Sequence, residues 1–260
     1  ISFATGLISI GLALLIGIIY YDVSRSPLFE QQKMNRAGAL YFLIINQFMS
    51  SSSWIVTVFC FEKDIFKREH DSGYYKLPAY FISKLLVETP QYIVLPCWVM
   101  GIAYWMIGLR SGVDHFAIAC LGAILSALNG MALGTLAGAL FKDLNVGMAI
   151  LMLILLPLML FSGFLVNNGT IPVYLRWLQY VSPTKYALNA LMKNEFTGLV
   201  MHNCDPTNPL NHQCSGDYVI ESMGMAGGLS IWANYAVLLG MFSALMTLAY
   251  LALWRLTRQH

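Results

Sequence analysis

Six apolar runs divide the chain, at Phe3–Tyr21, Ala39–Phe61, Ala79–Leu109, Phe116–Leu140, Val146–Val166 and Trp232–Trp254. An α-helix needs roughly 20 apolar residues to cross the hydrocarbon core of a bilayer. Inside lipid a backbone must satisfy its own N–H and C=O groups, which a helix does within one segment. The pattern therefore predicts an all-α, polytopic membrane protein with six transmembrane helices. The third run is long and carries Pro90 and Pro96; prolines in a buried helix free backbone carbonyls and predict a bend there. Two polar segments stand out between the runs. The first, residues 62–76, is the densest charge cluster, and the second, residues 167–231, is the longest connection. Part of the second, Ile171–Phe196, mixes apolar residues with tryptophan and tyrosine, which predicts short helices lying at or dipping into the membrane interface.

Composition sharpens this picture. Of the 260 residues 58% are hydrophobic and 11% charged, with a mean hydropathy of +0.63; soluble domains carry about twice that share of charge. A net charge of +2 makes no electrostatic case for a nucleic-acid partner. The chain opens directly in an apolar run without a basic leader or a small-residue cleavage site. That run reads as a first span and not a signal peptide, and the abrupt start gives the expectation that further sequence precedes it.

Charge alone does not orient the spans. Seven basic residues fall on one side (Lys63, Lys67, Arg68, Lys76, Lys142, Arg255, Arg258) and seven on the other (Arg25, Lys33, Arg36, Arg110, Arg176, Lys185, Lys193), so the positive-inside rule is a tie. Two features break it. Cys204 and Cys214 sit ten apart in a polar loop rich in Asn and Pro, as a disulfide in an oxidising compartment would. Asn168-Gly169-Thr170 is a glycosylation sequon in the same connection,. With residues 167–231 outside, span parity puts both termini, the 62–76 segment and the Phe141–Asn145 turn in the cytoplasm.

Several side-chain patterns admit more than one role. The 62–76 segment, with Lys63, Lys67, Arg68, Glu69 and His70, is either a solvated loop or a rigid cytoplasmic helix that receives force from a partner domain. On the second span Asn46, Met49, Ser50 and Ser53 share one helical face,; this is either an interhelical hydrogen-bonding stripe or a wall that faces cargo. On the fifth, Met152, Leu156 and Met159 recur at helical spacing and form one apolar stripe. Gly130, Gly134 and Gly138, with Gly122 and Ser126 in register, form a small-residue ladder on the fourth span, the kind that lets helix backbones approach closely. Lys84 and Glu88, four apart, are expected to pair, with Lys84 snorkelling to the interface. Cys60, Cys97 and Cys120 lie in spans and are expected to pack as small hydrophobes. No phosphate-binding G-x-x-x-x-G-K-[ST] loop, no nucleophile motif and no histidine cluster with metal-ligand spacing is present,. No catalytic residue and no metal site is assigned.

The motifs also carry a family resemblance. Arg68-Glu69-His70, then Ser72-Gly73-Tyr74-Tyr75, Ala79-Tyr80-Phe81 and Lys84, resemble the first coupling helix and third span of the G subfamily of ABC transporters, the white–brown complex group. Phe161-Ser162-Gly163-Phe164-Leu165-Val166 resembles the end of that family's fifth span. Ile171-Pro172-x-Tyr174-Leu175-x-Trp177-Leu178-x-Tyr180-x-Ser182, followed by Tyr186 and Asn194-Glu195-Phe196, resembles its external re-entrant region. The resemblance runs in order from about residue 5 to 255, and is nearest in pattern to the family's multidrug exporter and its homologues.

The resemblance implies an ABC-2 type membrane domain that works as a dimer with a second copy or a homologous half-transporter. It also implies a nucleotide-binding domain, preceding the first span, that would hold ATP and Mg. Hydrophobic cargo would sit between the second and fifth spans of two chains, against Asn46, Met49, Met152, Leu156 and Met159. Phe164 and Leu165 occupy the place of a two-leucine plug and would form an external valve. Met49 stands where the multidrug exporter has a phenylalanine, which speaks against flat polycyclic drugs. Cys204 and Cys214 match in position that exporter's intrachain disulfide. The expected cargo is an amphipathic lipid, sterol or hydrophobic small molecule, and the expected location is the plasma membrane, with an internal membrane as the alternative. A secondary transporter or channel would show paired charges deep in its spans or an inverted repeat, and neither is visible; a non-transporting membrane partner subunit is the remaining rival.

Overall fold

The structure is a computed structural model that describes residues 3–22, 29–74, 76–141, 143–166, 173–199, 215–225 and 227–258. Its helices are α1 (Phe3–Ile19), α2 (Phe29–Asp71), α3 (Leu77–Ile107), α4 (Val113–Leu140), α5 (Leu144–Leu160), a 3₁₀ turn at Val173–Leu175, α6 (Arg176–Val181), α7 (Pro183–Phe196), α8 (Gly216–Ser222) and α9 (Ile231–Arg258). The described residues form helices and no strands, as the apolar pattern requires. Segments Gln31–Lys63, Leu77–Ile107, Val113–Leu140 and Ile231–Arg255 are long and apolar enough to cross a membrane. Helices α1 and α5, of 17 residues each, are about 25 Å long at 1.5 Å per residue and lie at the short end of the spanning range.

Two boundaries differ from the sequence expectation. The charged segment does not form a coupling helix of its own over 62–76. It is the continuation of α2, which runs without a break for 43 residues to Asp71. Between Ala39 and Asp71 there is no Gly or Pro, so nothing interrupts the helical hydrogen bonds where the side chains change from apolar to charged. The helix ends in a turn with Gly73 at φ 75°, and Pro78 then opens α3 in its first turn, where a missing N–H costs nothing. The fifth span, expected over 146–166, begins at Leu144 and stops at Leu160. Gly163 at φ 94° takes the chain out of helical geometry there. Helix α3 passes through both Pro90 and Pro96.

Helix α4 is the centre of the bundle, in contact with α2, α3, α5, α7 and α9. Its small residues explain why. A Cβ placed on Gly130 would stand 2.5 Å from the Phe48 carbonyl oxygen, and one on Gly134 would stand 2.4 Å from that of Ser52. At Gly138 it would meet the Phe59 side chain at 3.0 Å. The ladder therefore brings α4 against the backbone of α2, and the polar stripe of α2 splits around this contact. Gln47, Ser51 and Ser52 are buried, with Ser51 and Ser52 against Gly130, while Asn46, Met49, Ser50 and Ser53 are turned the other way. Polar side chains add directional bonds. Ser126 Oγ donates to the Ile44 carbonyl at 3.3 Å, and Asn129 Nδ2 to that of Leu238 at 3.1 Å on α9. Tyr235 Oη donates to the Ile118 carbonyl at 2.7 Å. Cys120 is buried and Cys60 and Cys97 are half-buried in their helices, as small hydrophobes would be.

The short helices after α5 are tied to it. Ser182 Oγ and Thr184 Oγ1 both donate to the Leu158 carbonyl, at 2.7 and 2.9 Å. Leu158 lies in the last turn of α5, where carbonyls have no intrahelical donor, and the two hydroxyls supply it.

An alanine at the α2–α4 contact tests this packing. Gly134→Ala in the full-length protein is expected to lower thermal stability in detergent by the equivalent of about 1–3 kcal/mol, as overpacking does. Gly240→Ala, where an added Cβ meets nothing within 4 Å, is expected to leave stability unchanged or to raise it. Thermal unfolding of the two variants side by side checks the pair.

Candidate functional site

An open groove of about 690 Å³ lies between α1, α2 and α5. Helix α1 contributes Ile8, Leu12 and Ile16, and α5 contributes Met148 and Met159. Helix α2 contributes the face Phe42, Asn46, Met49, Ser50, Ser53 and Thr57. Thr57 Oγ1 donates to its own helix at the Ser53 carbonyl, 3.0 Å away, and Asn46 is the one side-chain amide in a lining that is mostly apolar with a few hydroxyls. Such a surface, mostly apolar with a few placed polar groups, is what ligand pockets for apolar molecules have.

Of the residues expected to face cargo, the structure brings Asn46, Met49 and Met159 together in the groove. Met152 and Leu156 are not among its walls. They lie on the outward face of α5, 41% and 57% exposed. Leu151, Leu155 and Leu158 take the packing side of that helix, and at 100° per residue Met152 and Leu156 fall one step further round. With Leu153 and Leu160 they form an uncovered apolar face beside the groove.

Past the end of α5, Phe164 stacks on Tyr41 of α2 with ring centroids 4.7 Å apart and planes 26° apart. Leu165 turns outward and is exposed. The two valve candidates therefore differ: Phe164 is held against α2 and Leu165 is not.

At the other end of α2 the charged extension has an anchored side and an open side. Lys63 is only 5% exposed. Its Nζ donates to the carbonyls of Gly138, Ala139 and Phe141 at 3.3, 2.8 and 3.2 Å. It thereby caps the C-terminus of α4, where unpaired carbonyls and the helix dipole favour a cation. Phe66 is buried and stacks on Tyr80 at 4.1 Å. Lys84 pairs with Glu62 and, at 2.8 Å, with Glu88, as expected for the second pair. Ile65, Arg68, Glu69 and Tyr74 are exposed. The side chains of Lys67 and His70 lie outside the described residues, as do Asn168, Cys204 and Cys214.

Sequence reasoning missed a second polar cluster, at the opposite end of α2. Arg36 pairs with Glu195 of α7, and both are buried. Glu195 also accepts the Arg110 backbone N–H at 3.1 and 3.0 Å through its two oxygens. Arg110 Nη1 donates to the Thr197 carbonyl at 2.6 Å. His115 Nδ1 lies 2.9 Å from Asn194 Oδ1, and Asn194 Nδ2 donates to the His115 carbonyl at 2.8 Å. Burial pushes the Glu195 carboxyl above its ordinary range, and the Arg36 guanidinium and the Arg110 N–H oppose that shift,. The signal in the sequence was the isolation of Glu195, the one acid between Asp143 and Asp205. Among the described residues no group of three or more His, Cys, Asp or Glu could hold a metal ion.

Comparison with known proteins gives these features a context. The family model described as ABC-2 type transporter matches residues 2–196. The chain is 33% identical over 260 residues to the pig broad substrate specificity ATP-binding cassette transporter ABCG2, covering 97% of this chain and 39% of that protein. It is 32% identical over 247 residues to Protein white of Drosophila melanogaster, covering 93% and 35%. It is 30% identical over 247 residues to the ABC transporter ATP-binding protein/permease wht-1 of Caenorhabditis elegans, covering 93% and 36%. The chain thus spans about two fifths of the length of the curated relatives it matches.

The Lys63 cap can be separated from the exposed charges. Lys63→Met is expected to cost about 2 kcal/mol of stability, the scale of losing hydrogen bonds from a charged group. Arg68→Met, on the exposed side, is expected to change stability by less than about 0.5 kcal/mol. Thermal unfolding of the two full-length variants in one detergent distinguishes them.

Proposed function

The chain belongs to the ABC-2 type transporter family and is an integral membrane domain of the G-subfamily kind; on that premise we propose that it forms the membrane part of an ATP-driven exporter for hydrophobic cargo. The cargo class is an amphipathic lipid, a sterol or a hydrophobic small molecule. What supports this reading most is the open apolar groove between α1, α2 and α5, with Asn46 to orient a ligand. Beside it lies the uncovered apolar face of Met152 and Leu156. A second copy or a homologous half-transporter set against that face would enclose the groove. It would give Met152 and Leu156 the cargo contact they lack in one chain.

In this reading ATP and Mg are held by a nucleotide-binding domain outside these 260 residues. Force enters at the exposed side of the α2 extension, through Arg68 and Glu69. The anchored side, Lys63 and Phe66, passes it to α4 and α3. The cavity then narrows from the cytoplasmic side and cargo leaves past Phe164 and Leu165, by alternating access. Residues 167–231 face outside, where Asn168 is a glycosylation acceptor and Cys204 and Cys214 pair within one chain.

Two measurements test the path and the coupling separately. Met49→Trp and Leu156→Trp fill the groove and the face beside it, and each is expected to lower ATP-dependent flux of lipid or hydrophobic dye at least tenfold with thermal stability retained. Unchanged flux in both would place the cargo elsewhere. Arg68→Glu and Glu69→Lys in the full-length protein are expected to lower transport and the stimulation of ATP turnover by cargo while nucleotide binding stays intact. Transport at the unmodified level in both reversals would reduce the extension to a solvated surface.

A further inference from the structure

A small polar recess of about 30 Å³ lies beside the groove, between α1, α2 and α3. Ser9 of α1 and Ser50 and Trp54 of α2 line both spaces, so the two adjoin. The polar walls of the recess are Ser9, Gln47, Ser50, Ser51 and Gln91, and none of its lining residues carries a charge. These residues stand near the middle of their helices. Ser9 lies near the centre of Phe3–Ile19, Gln91 near that of Leu77–Ile107, and Gln47 and Ser51 on either side of the centre of the apolar run Ala39–Phe61. In a membrane domain that is the depth farthest from bulk water.

Ser52 and Thr57 bond back to carbonyls one turn earlier on α2, a common use of a hydroxyl inside a helix. Ser9, Gln47, Ser51 and Gln91 do not, and among the described residues their side chains make no hydrogen bond. Gln47 is only 5% and Ser51 7% exposed. Their polar atoms are nevertheless reachable from the recess, whereas the Tyr92 hydroxyl in the same wall is fully covered and takes no part. Polar side chains inside a membrane normally bond across helices. Four that converge from three helices without doing so leave a polar hollow at a depth where an unmet polar group is costly.

Size and charge limit what can fill it. A water-sized group needs roughly 10–15 Å³, so the recess has room for about two, too little for a phosphate or a sugar. A charged head would be buried there without a counter-charge. A hydroxyl fits, because it both donates and accepts, as the amides of Gln47 and Gln91 do. The adjoining groove, of about 690 Å³ and mostly apolar, has the space for an apolar body that the recess lacks.

We propose that the recess is the specificity pocket of the groove: it takes the single terminal hydroxyl of an otherwise apolar, uncharged cargo, such as a sterol or a long-chain alcohol, with Gln47 and Gln91 as the hydrogen-bond partners. This rests on the reading of the groove as the cargo site and narrows it, since a phospholipid or a quaternary amine has no head that the recess accepts. Water fills the recess when the groove is empty.

The test is photo-crosslinking of the full-length protein in nanodiscs, with a long-chain alcohol that carries a diazirine next to its hydroxyl and with the methyl ether of the same molecule. Labelling is read relative to the lipid-exposed positions Leu239 and Leu248 of α9. Gln91 lines the recess alone and Met159 the groove alone, so the two spaces report separately. The alcohol is expected to label α3 at Gln91 at least fivefold more than the ether does, while both label Met159 to within about twofold. Gln47→Leu with Gln91→Leu is expected to abolish the preference for the alcohol on α3 and to leave labelling at Met159 unchanged. Equal labelling of α3 by the two probes, or a preference that survives both substitutions, would overturn the hydroxyl assignment and leave water as the occupant. Absence of label at Met159 with either probe would instead remove the groove as the cargo site, and this proposal with it. Should the double variant fail to fold, the comparison of the two probes on the unmodified protein decides.

Discussion

Backbone contact between α2 and α4 is the constraint from which the rest of the bundle follows. In lipid the hydrophobic effect does not draw helices together, and close packing takes over that role. Gly130 and Gly134 leave no room for a side chain against the Phe48 and Ser52 carbonyls. This fixes which face of α2 is buried and, by exclusion, which face is open. Asn46, Met49, Ser50 and Ser53 line a groove because Gln47, Ser51 and Ser52 are committed to the buried side.

The polar groups that enter this interior are held to the same standard. Lys63 finds three carbonyls of the α4 terminus, and Asn129 joins α4 to α9. Leu158 receives two hydroxyls from the α7 region. Glu195 gathers α2, the α3–α4 connection and α7 into one cluster. Breaking a buried pair such as Arg36–Glu195 by removing one partner typically costs about 3–5 kcal/mol, because the remaining charge stays buried. Not every buried polar atom is met, since Arg36 Nε, Tyr92 Oη and the Oδ1 atoms of Asn129, Asn189 and Asn234 have no hydrogen-bond partner.

The six apolar helices and the glycine ladder were legible in the sequence, because hydropathy and a four-residue spacing are local signals. The groove was partly legible. Asn46 and Met49 could be placed from the face they share on α2, but the stripe on α5 could not be oriented by spacing alone. Met152 and Met159 share one face of α5, yet Met159 reaches the groove while Met152 and Leu156 are left uncovered, and the adjacent stripe Leu151, Leu155 and Leu158 is equally apolar. The charge cluster at 62–76 showed where α2 changes from apolar to charged, yet composition cannot say whether a helix ends at such a change. Only the lack of a Gly or Pro before Asp71 indicated that it does not. Arg36 with Glu195, 159 positions apart, is a pairing that a single chain of letters does not encode locally.

The length of α2 has a mechanical consequence. Its 43 residues make a rod of about 65 Å, and the contact with Gly130 and Gly134 falls at Phe48 to Ser52, close to the rod's midpoint. The two helices also touch on either side of that point, from Ile44, which accepts from Ser126, to Lys63, which caps α4. The rod is thus splinted to α4 over about 29 Å of its length, and the pair behaves as one beam. A push on the exposed arm at Arg68 therefore cannot reach Arg36 without carrying α4 along.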